Sequence, residues 1–188
     1  MVPRASIRAV GCAFLLLFAW SCGGQDLQPP AYPSESRVIP GVPFFPQERY
    51  QCGPASLAGA MGYYGVRVTP REVARQVFRP DLRGTLGLDL ALYARERGLQ
   101  ARWYSGDTSD LLDSLESGQP LILMVDRGWG PVKRPHFLVA KGYSPRGLVA
   151  NSGREEGKTL PWKSFVEEWR RAGHWTLRLS PGERGRMP

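Results

Sequence analysis

The sequence predicts an α+β fold, with N-terminal helices packed on a C-terminal antiparallel sheet, and two observations predict it. Between residues 52 and 118, apolar side chains recur at helical spacing in segments bounded by capping residues and glycine stops. From residue 120 the pattern changes to continuous or alternating apolar runs broken by Pro and Gly, as strands and turns require. Helices first and strands after is the order of an α+β chain.

The first residues are expected to stand apart from this body. Arg4 and Arg8 precede an uncharged, largely apolar run over residues 9–20. Twelve helical residues span about 18 Å, short of the roughly 30 Å hydrocarbon core, so residues 1–21 read as a signal peptide rather than a membrane span. The run ending at Ser21-Cys22 resembles a bacterial lipobox. That resemblance implies a lipidated Cys22 as mature N-terminus, and Gly23 in place of aspartate implies the outer membrane, periplasmic face. Trp20 and Ala19 depart from the pattern, and cleavage by an ordinary signal peptidase is the alternative. Residues 22–37, rich in Gly, Gln, Pro and Ser, have the composition of a flexible tether. One domain is expected over residues 38–180, with a tail over residues 181–188.

Residues 42–45, flanked by Pro43 and Pro46, form a short extended segment that delivers Gln47. A first helix is expected over residues 52–64, because Pro54 suits a first turn and Leu57, Met61 and Tyr64 recur at i, i+4 and i+7. Ala55, Ala58 and Gly59 are small enough for close packing, so this helix is central. Thr69-Pro70-Arg71-Glu72 has the form of a capping box and starts a second helix reaching Phe78, with Val73, Val77 and Phe78 inward. Gly84-Thr85 is expected to start a third, with Leu86, Leu90, Tyr93 and Ala94 on one face and Gly98 as its stop. Residues 99–104 read as a strand, and Asp107 or Thr108 caps a fourth helix ending at Gly118. Residues 120–125 read as a buried strand, 126–135 as a Gly-rich loop, and 136–143 and 148–151 as a hairpin turning over Ser144 to Gly147. Residues 161–171 carry Trp162, Phe165, Val166 and Trp169 at helical spacing, and residues 174–179 close the chain as a strand.

Composition excludes several classes of function. The net charge of +8 falls to +6 without Arg4 and Arg8, and the basic residues are scattered, so no nucleic-acid partner is implied. Two histidines and one remaining thiol without ligand spacing call for no metal, and no cofactor is expected. No internal repeat is visible.

With Cys12 in the signal and Cys22 lipidated, Cys52 is the one thiol left, and no intramolecular disulfide can form. At a helix start it feels the dipole and the free N–H groups of the first turn, which favour thiolate. The bland alternative is a small buried hydrophobe. A nucleophile needs a base and a group that orients the base. His136 stands at a strand start after the Gly-rich loop, and Asn151 lies fifteen residues on, at the end of the returning strand. The hairpin is expected to join them as a Cys-His-Asn set. Gln47 and the Cys52 amide are expected to supply two donors for an oxyanion. His174 reads as structural. Trp129 in the loop is either a lid over substrate or an ordinary packed residue, and Gly53 is a weak substrate-binding candidate.

Pro46-Gln47, then Gln51-Cys52-Gly53-Pro54-Ala55-Ser56-Leu57-Ala58, then His136-Phe137-Leu138-Val139-Ala140-Lys141-Gly142-Tyr143 and Val149-Ala150-Asn151 resemble the bacteriocin-processing (double-glycine leader) cysteine peptidase, C39-like, family. The likeness is closest to its stand-alone lipoprotein relatives, some of which carry tetratricopeptide repeats. It implies a papain-like fold with Cys52 as nucleophile, His136 as base and acid, Asn151 as orienting residue and Gln47 as oxyanion donor. The implied partners are a peptide or protein substrate, the membrane through the N-terminal lipid, and a tetratricopeptide-repeat protein. Where transporter-linked members carry Asp-Pro, this chain has Asn151-Ser152, and it has no ATP-binding motif. The expected function is cysteine-type peptide hydrolysis in the cell envelope. The alternatives are acyl transfer or deamidation on the same site, and a peptidase-like module that binds peptides without turnover.

Overall fold

A computed structural model describes residues 32–182. The signal peptide, Cys22, most of the tether and residues 183–188 lie outside the described residues. The elements run β1 (Arg37–Val38), α1 (Cys52–Tyr63), α2 (Pro70–Val77), β2 (Phe78–Arg79), β3 (Gly84–Thr85), α3 (Gly87–Glu96), β4 (Leu99–Ser105), α4 (Thr108–Glu116), β5 (Leu121–Asp126), β6 (Pro135–Ser144), β7 (Gly147–Ser152), β8 (Glu155–Pro161), α5 (Trp162–Arg171) and β9 (Trp175–Pro181). No helix among the described residues is long and apolar enough to cross a membrane.

Local chemistry explains most of these boundaries. Before α2, Thr69 Oγ1 accepts from Glu72 N at 3.2 Å while Glu72 Oε2 accepts from Thr69 N at 2.7 Å, a complete capping box. Asp107 caps α4 by accepting from Asp110 N at 2.8 Å. The third helix starts later than its sequence suggests. Gly84 and Thr85 pair with Arg79 and Phe78 in a two-stranded ribbon, so Leu86 becomes the N-cap and is exposed while Leu90, Ala91, Tyr93 and Ala94 are buried. Phe78 is half-buried rather than inward. β8 carries no apolar alternation and is held by its ladder to β7.

α1 is buried over nearly its whole length, Gly53 through Met61, so it shows no apolar stripe. Its small residues allow a chain segment to cross it closely: a Cβ at Gly59 would lie 2.6 Å from the Pro43 carbonyl oxygen. That contact seats residues 42–47 on the helix and brings Gln47 to the start of β6.

The sheet is antiparallel, in the order β4-β9-β5-β6-β7-β8, with β1 added to β6 beyond the end of β5. Tyr32 stacks on Trp162 of α5 at 5.2 Å, fastening the start of the domain. Phe137 and Val139 turn to the α1 face, where Phe137 meets Gly53 and Val139 lines a small cleft with Gln47 and Ser56. His136 and Leu138, alternating with them, turn to the other face. One irregularity governs the site. Between the β6–β7 turn and the site, Lys141 is an extra residue on β6, so Gly142 pairs Val149 and Ala140 pairs Ala150.

Candidate active site

Cys52 begins α1, and three backbone N–H groups turn toward its sulfur: those of Phe137, Gly53 and Cys52 itself. The Phe137 contact exists because β7 leaves β6 after the Val139–Asn151 pair. Cys52 and Gln47 take up the edge of β6 beyond it. Burial nevertheless outweighs these donors and pushes the thiol up from its ordinary value, with Phe137, Gly53, Cys52 and then the Arg127 charge acting the other way. The helix start supplies the donors, as expected, but desolvation in the notch costs the thiolate more than they return.

Gln47 is delivered as its sequence suggests. Its backbone N–H donates to the Gly153 carbonyl at 2.9 Å, and its Nε2 donates to the Phe137 carbonyl and to Ser56 Oγ, both at 3.4 Å. Those side-chain bonds are long for N–H···O, so the amide is held loosely between Ser56 and the Phe137 carbonyl. Its Oε1 is buried without a partner among the described residues.

His136 is half-buried, with Nε2 at 3.1 Å from Ser152 Oγ. Burial, then the charges of Arg127 and Lys158, push its pKa down to about 3, so the ring is neutral across the physiological range. Among the described residues no hydrogen bond joins the imidazole to the Cys52 sulfur.

Asn151 does not reach His136. Its Nδ2 donates to the Pro43 carbonyl at 3.4 Å and its Oδ1 accepts from Gly157 N at 3.1 Å. The reason is the bulge at Lys141. An uninterrupted hairpin would set Asn151 opposite Ala140, on the His136 side; with the extra residue it sits opposite Val139, on the α1 side. The same shift carries Ser152 to His136. Asn151 instead ties the 42–47 segment to the β7–β8 turn, and so supports Gln47 from behind.

Arg127 was not singled out by its sequence context. Its Nη2 donates to Ser152 Oγ at 3.0 Å, and its Nε lies 3.6 Å from Glu168 Oε2 on α5. The loop that carries it is braced at its base. Asp126 Oδ1 accepts from Gly128 N at 2.9 Å and Arg134 N at 2.8 Å, and Asp126 Oδ2 lies 3.1 Å from Lys133 Nζ. The Arg134 N–H first, then Gly128 and Lys133, hold the Asp126 carboxyl below its usual range. A Cβ at Gly128 would fall 1.8 Å from the Val132 carbonyl oxygen, so only glycine fits there. Trp129, at the tip, is 89% exposed and packs on nothing.

Gly53 is buried, with Thr85 and Phe137 around the position of a Cβ. It contributes its N–H to the sulfur and presents no surface to a substrate. His174 stacks edge-on against Trp169 at 5.0 Å, the structural place its context suggests.

The model of the Peptidase C39 like family matches residues 39–176. No curated protein matches the chain in sequence. Among solved structures, the fold is similar to that of a protein described as a C39-like peptidase from Bacillus anthracis, with TM-score 0.63, 17% identity, and 78% of this chain and 98% of that chain covered. It is similar to the peptidase domain of Streptococcus ComA, a bi-functional ABC transporter involved in a quorum sensing pathway, with TM-score 0.63, 22% identity, and 75% and 99% covered. It is also similar to a double glycine motif protease from an AMS/PCAT transporter in complex with the leader peptide, with TM-score 0.61, 24% identity, and 77% and 94% covered.

Proposed function

Because the chain belongs to the Peptidase C39 like family, we propose that it is a cysteine peptidase with Cys52 as nucleophile and His136 as its base. The observation that carries this reading is the open edge of β6, where the Phe137 N–H favours the Cys52 thiolate and the Phe137 carbonyl accepts from Gln47 Nε2, one residue along the strand from His136. His136 Nδ1 takes the thiol proton as the sulfur bonds to a peptide carbonyl carbon, and the carbonyl π pair moves onto oxygen. Gln47 Nε2–H and the Cys52 N–H hold that oxyanion. On collapse the C–N bond breaks, the amine leaves with the proton from His136, and a thioester remains. Water then loses a proton to His136 and attacks the thioester, releasing a carboxylic acid and the thiol. Ser152 takes the orienting place that Asn151 was expected to fill.

Peptide or protein substrate enters past Trp129, whose exposed ring acts as a lid. Through a lipid on Cys22, the enzyme works at the cell envelope, on the periplasmic face of the outer membrane. A peptide-binding module without turnover is the second reading, favoured by the raised Cys52 thiol and by two cations, rather than a carboxylate, facing His136.

Incubation with a mixed peptide library, read by mass spectrometry, separates the two. Products formed by the parent and lost with Cys52→Ala carry the peptidase reading. Retained peptides with no products, bound equally by Cys52→Ala, would move the conclusion to the binding module.

A further inference from the structure

The geometry points to Arg127 as a positioning residue that, through Ser152, holds His136 in the tautomer that cannot take the Cys52 proton, so that the site rests latent. This inference rests on the peptidase reading of the site and concerns its regulation. Arg127 only donates hydrogen bonds, so in the Arg127 Nη2–Ser152 Oγ contact of 3.0 Å the hydroxyl oxygen is the acceptor. We assign the hydroxyl's own proton to a neighbouring acceptor, one of its two lone pairs being taken by Arg127. Among the described residues, the acceptor within its reach is His136 Nε2, at 3.1 Å. The chain of donors therefore runs Arg127 to Ser152 to Nε2, and the neutral ring keeps its proton on Nδ1. In the proposed mechanism Nδ1 is the nitrogen that serves Cys52, and with a proton on it there is no lone pair to accept the thiol's. The fixed tautomer decides whether such a base works.

A carboxylate at position 152 would reverse this order, because it accepts from both neighbours. The cations around the ring add to the effect. Arg127 and Lys158 both disfavour imidazolium, the partner a thiolate needs. Arg127 has a release route: Glu168 Oε2 stands 3.6 Å from its Nε, and the side chain is about one-third exposed. An anionic group entering the notch, such as a substrate carboxylate, competes with Ser152 for the guanidinium. Once Arg127 withdraws, the hydroxyl is free to turn and accept from Nε2–H.

The test is the tautomer of His136 in the domain with 15N-labelled histidine, read by NMR with His136→Gln for assignment, together with the alkylation rate of Cys52 by iodoacetamide at neutral pH. The parent is expected to show Nδ1–H. Ser152→Asp is expected to show Nε2–H and about tenfold faster alkylation, the equivalent of one pH unit in the thiol midpoint. Ser152→Asn, whose amide oxygen accepts from Nε2–H without bringing charge into the fold, is expected to make the same tautomer change if the aspartate variant does not fold. Arg127→Met is expected to lose the preference for Nδ1–H. An Nε2–H parent, or Ser152 variants that leave both tautomer and rate unchanged, would overturn the inference. Neither readout needs turnover. A Ser152 variant that switches tautomer and still cleaves no peptide would sink the peptidase reading and leave the role of Arg127 standing.

Discussion

The two halves of the site are built by different means. Cys52 and Gln47 are placed by backbone: the start of a buried helix, the crossing of residues 42–47 over Gly59, and the free edge of β6 at Phe137. His136 is served by side chains from three elements, Ser152 on β7, Arg127 after β5 and Glu168 on α5, whose meeting depends on strand register. A backbone-built half tolerates changes of side chain around it. The half built on register is remade by a shift of one residue.

The largest effect is expected from that shift. Inserting one residue between Val149 and Ala150 gives Lys141 a partner, removes the bulge and flips one limb of the hairpin, turning buried Leu148 or Phe137 outward. The loss should exceed about 4 kcal/mol, the range in which a domain of this size ceases to be cooperative, seen in urea unfolding. On the backbone-built half, Gln47→Ala should leave the fold intact and lower kcat about 10²- to 10³-fold, the usual worth of one oxyanion donor, with KM little changed. If Gln47 only braces the fold, stability rather than kcat will fall.

Gly59→Ala asks whether the crossing is what places Gln47. Its new Cβ, 2.6 Å from the Pro43 oxygen, should cost about 1–3 kcal/mol as the segment lifts, with activity falling further than stability alone explains. The pH dependence belongs to the other half. His136 has a folded pKa of about 3 against 6.5 unfolded, so the unfolded chain binds the extra proton. The His136 contribution is intact above pH 6.5 and is lost as pH falls toward 3, at about 1.4 kcal/mol per unit. His136→Gln should flatten the slope between pH 6.5 and 4.5, before carboxylates such as Asp126 join in. Trp129→Ala should change stability by less than about 0.5 kcal/mol, since its ring packs on nothing, yet raise KM if it covers substrate.

The same contrast explains what was legible in the sequence. Helix caps, glycine stops and the Cys52-Gly53-Pro54 start are local signals, and α1, α2, α4 and the central strands stand where those signals put them. So does Gln47. Asn151 was misplaced because fifteen residues and a tight turn do not tell which face a residue takes, and Lys141 gives no sign in sequence that it is the extra residue. Gly142 beside it offers a trace: a Cβ there would fall 2.3 Å from the Arg37 oxygen, so the glycine admits β1. Arg127 and Glu168 were invisible for a plainer reason, as charged residues on a loop and a helix whose docking no periodicity specifies. Leu86 failed differently, because a two-residue ribbon delayed the helix it was expected to join.

β1 joins β6 at Tyr143 and Gly142, seven and six residues from His136 and so about 20 Å or more along the strand. A pull on the N-terminus therefore loads two rungs of ladder and the Tyr32–Trp162 stack first. Those contacts act as a mechanical fuse: tension peels the leading segment rung by rung before it reaches the end of β6 that carries His136.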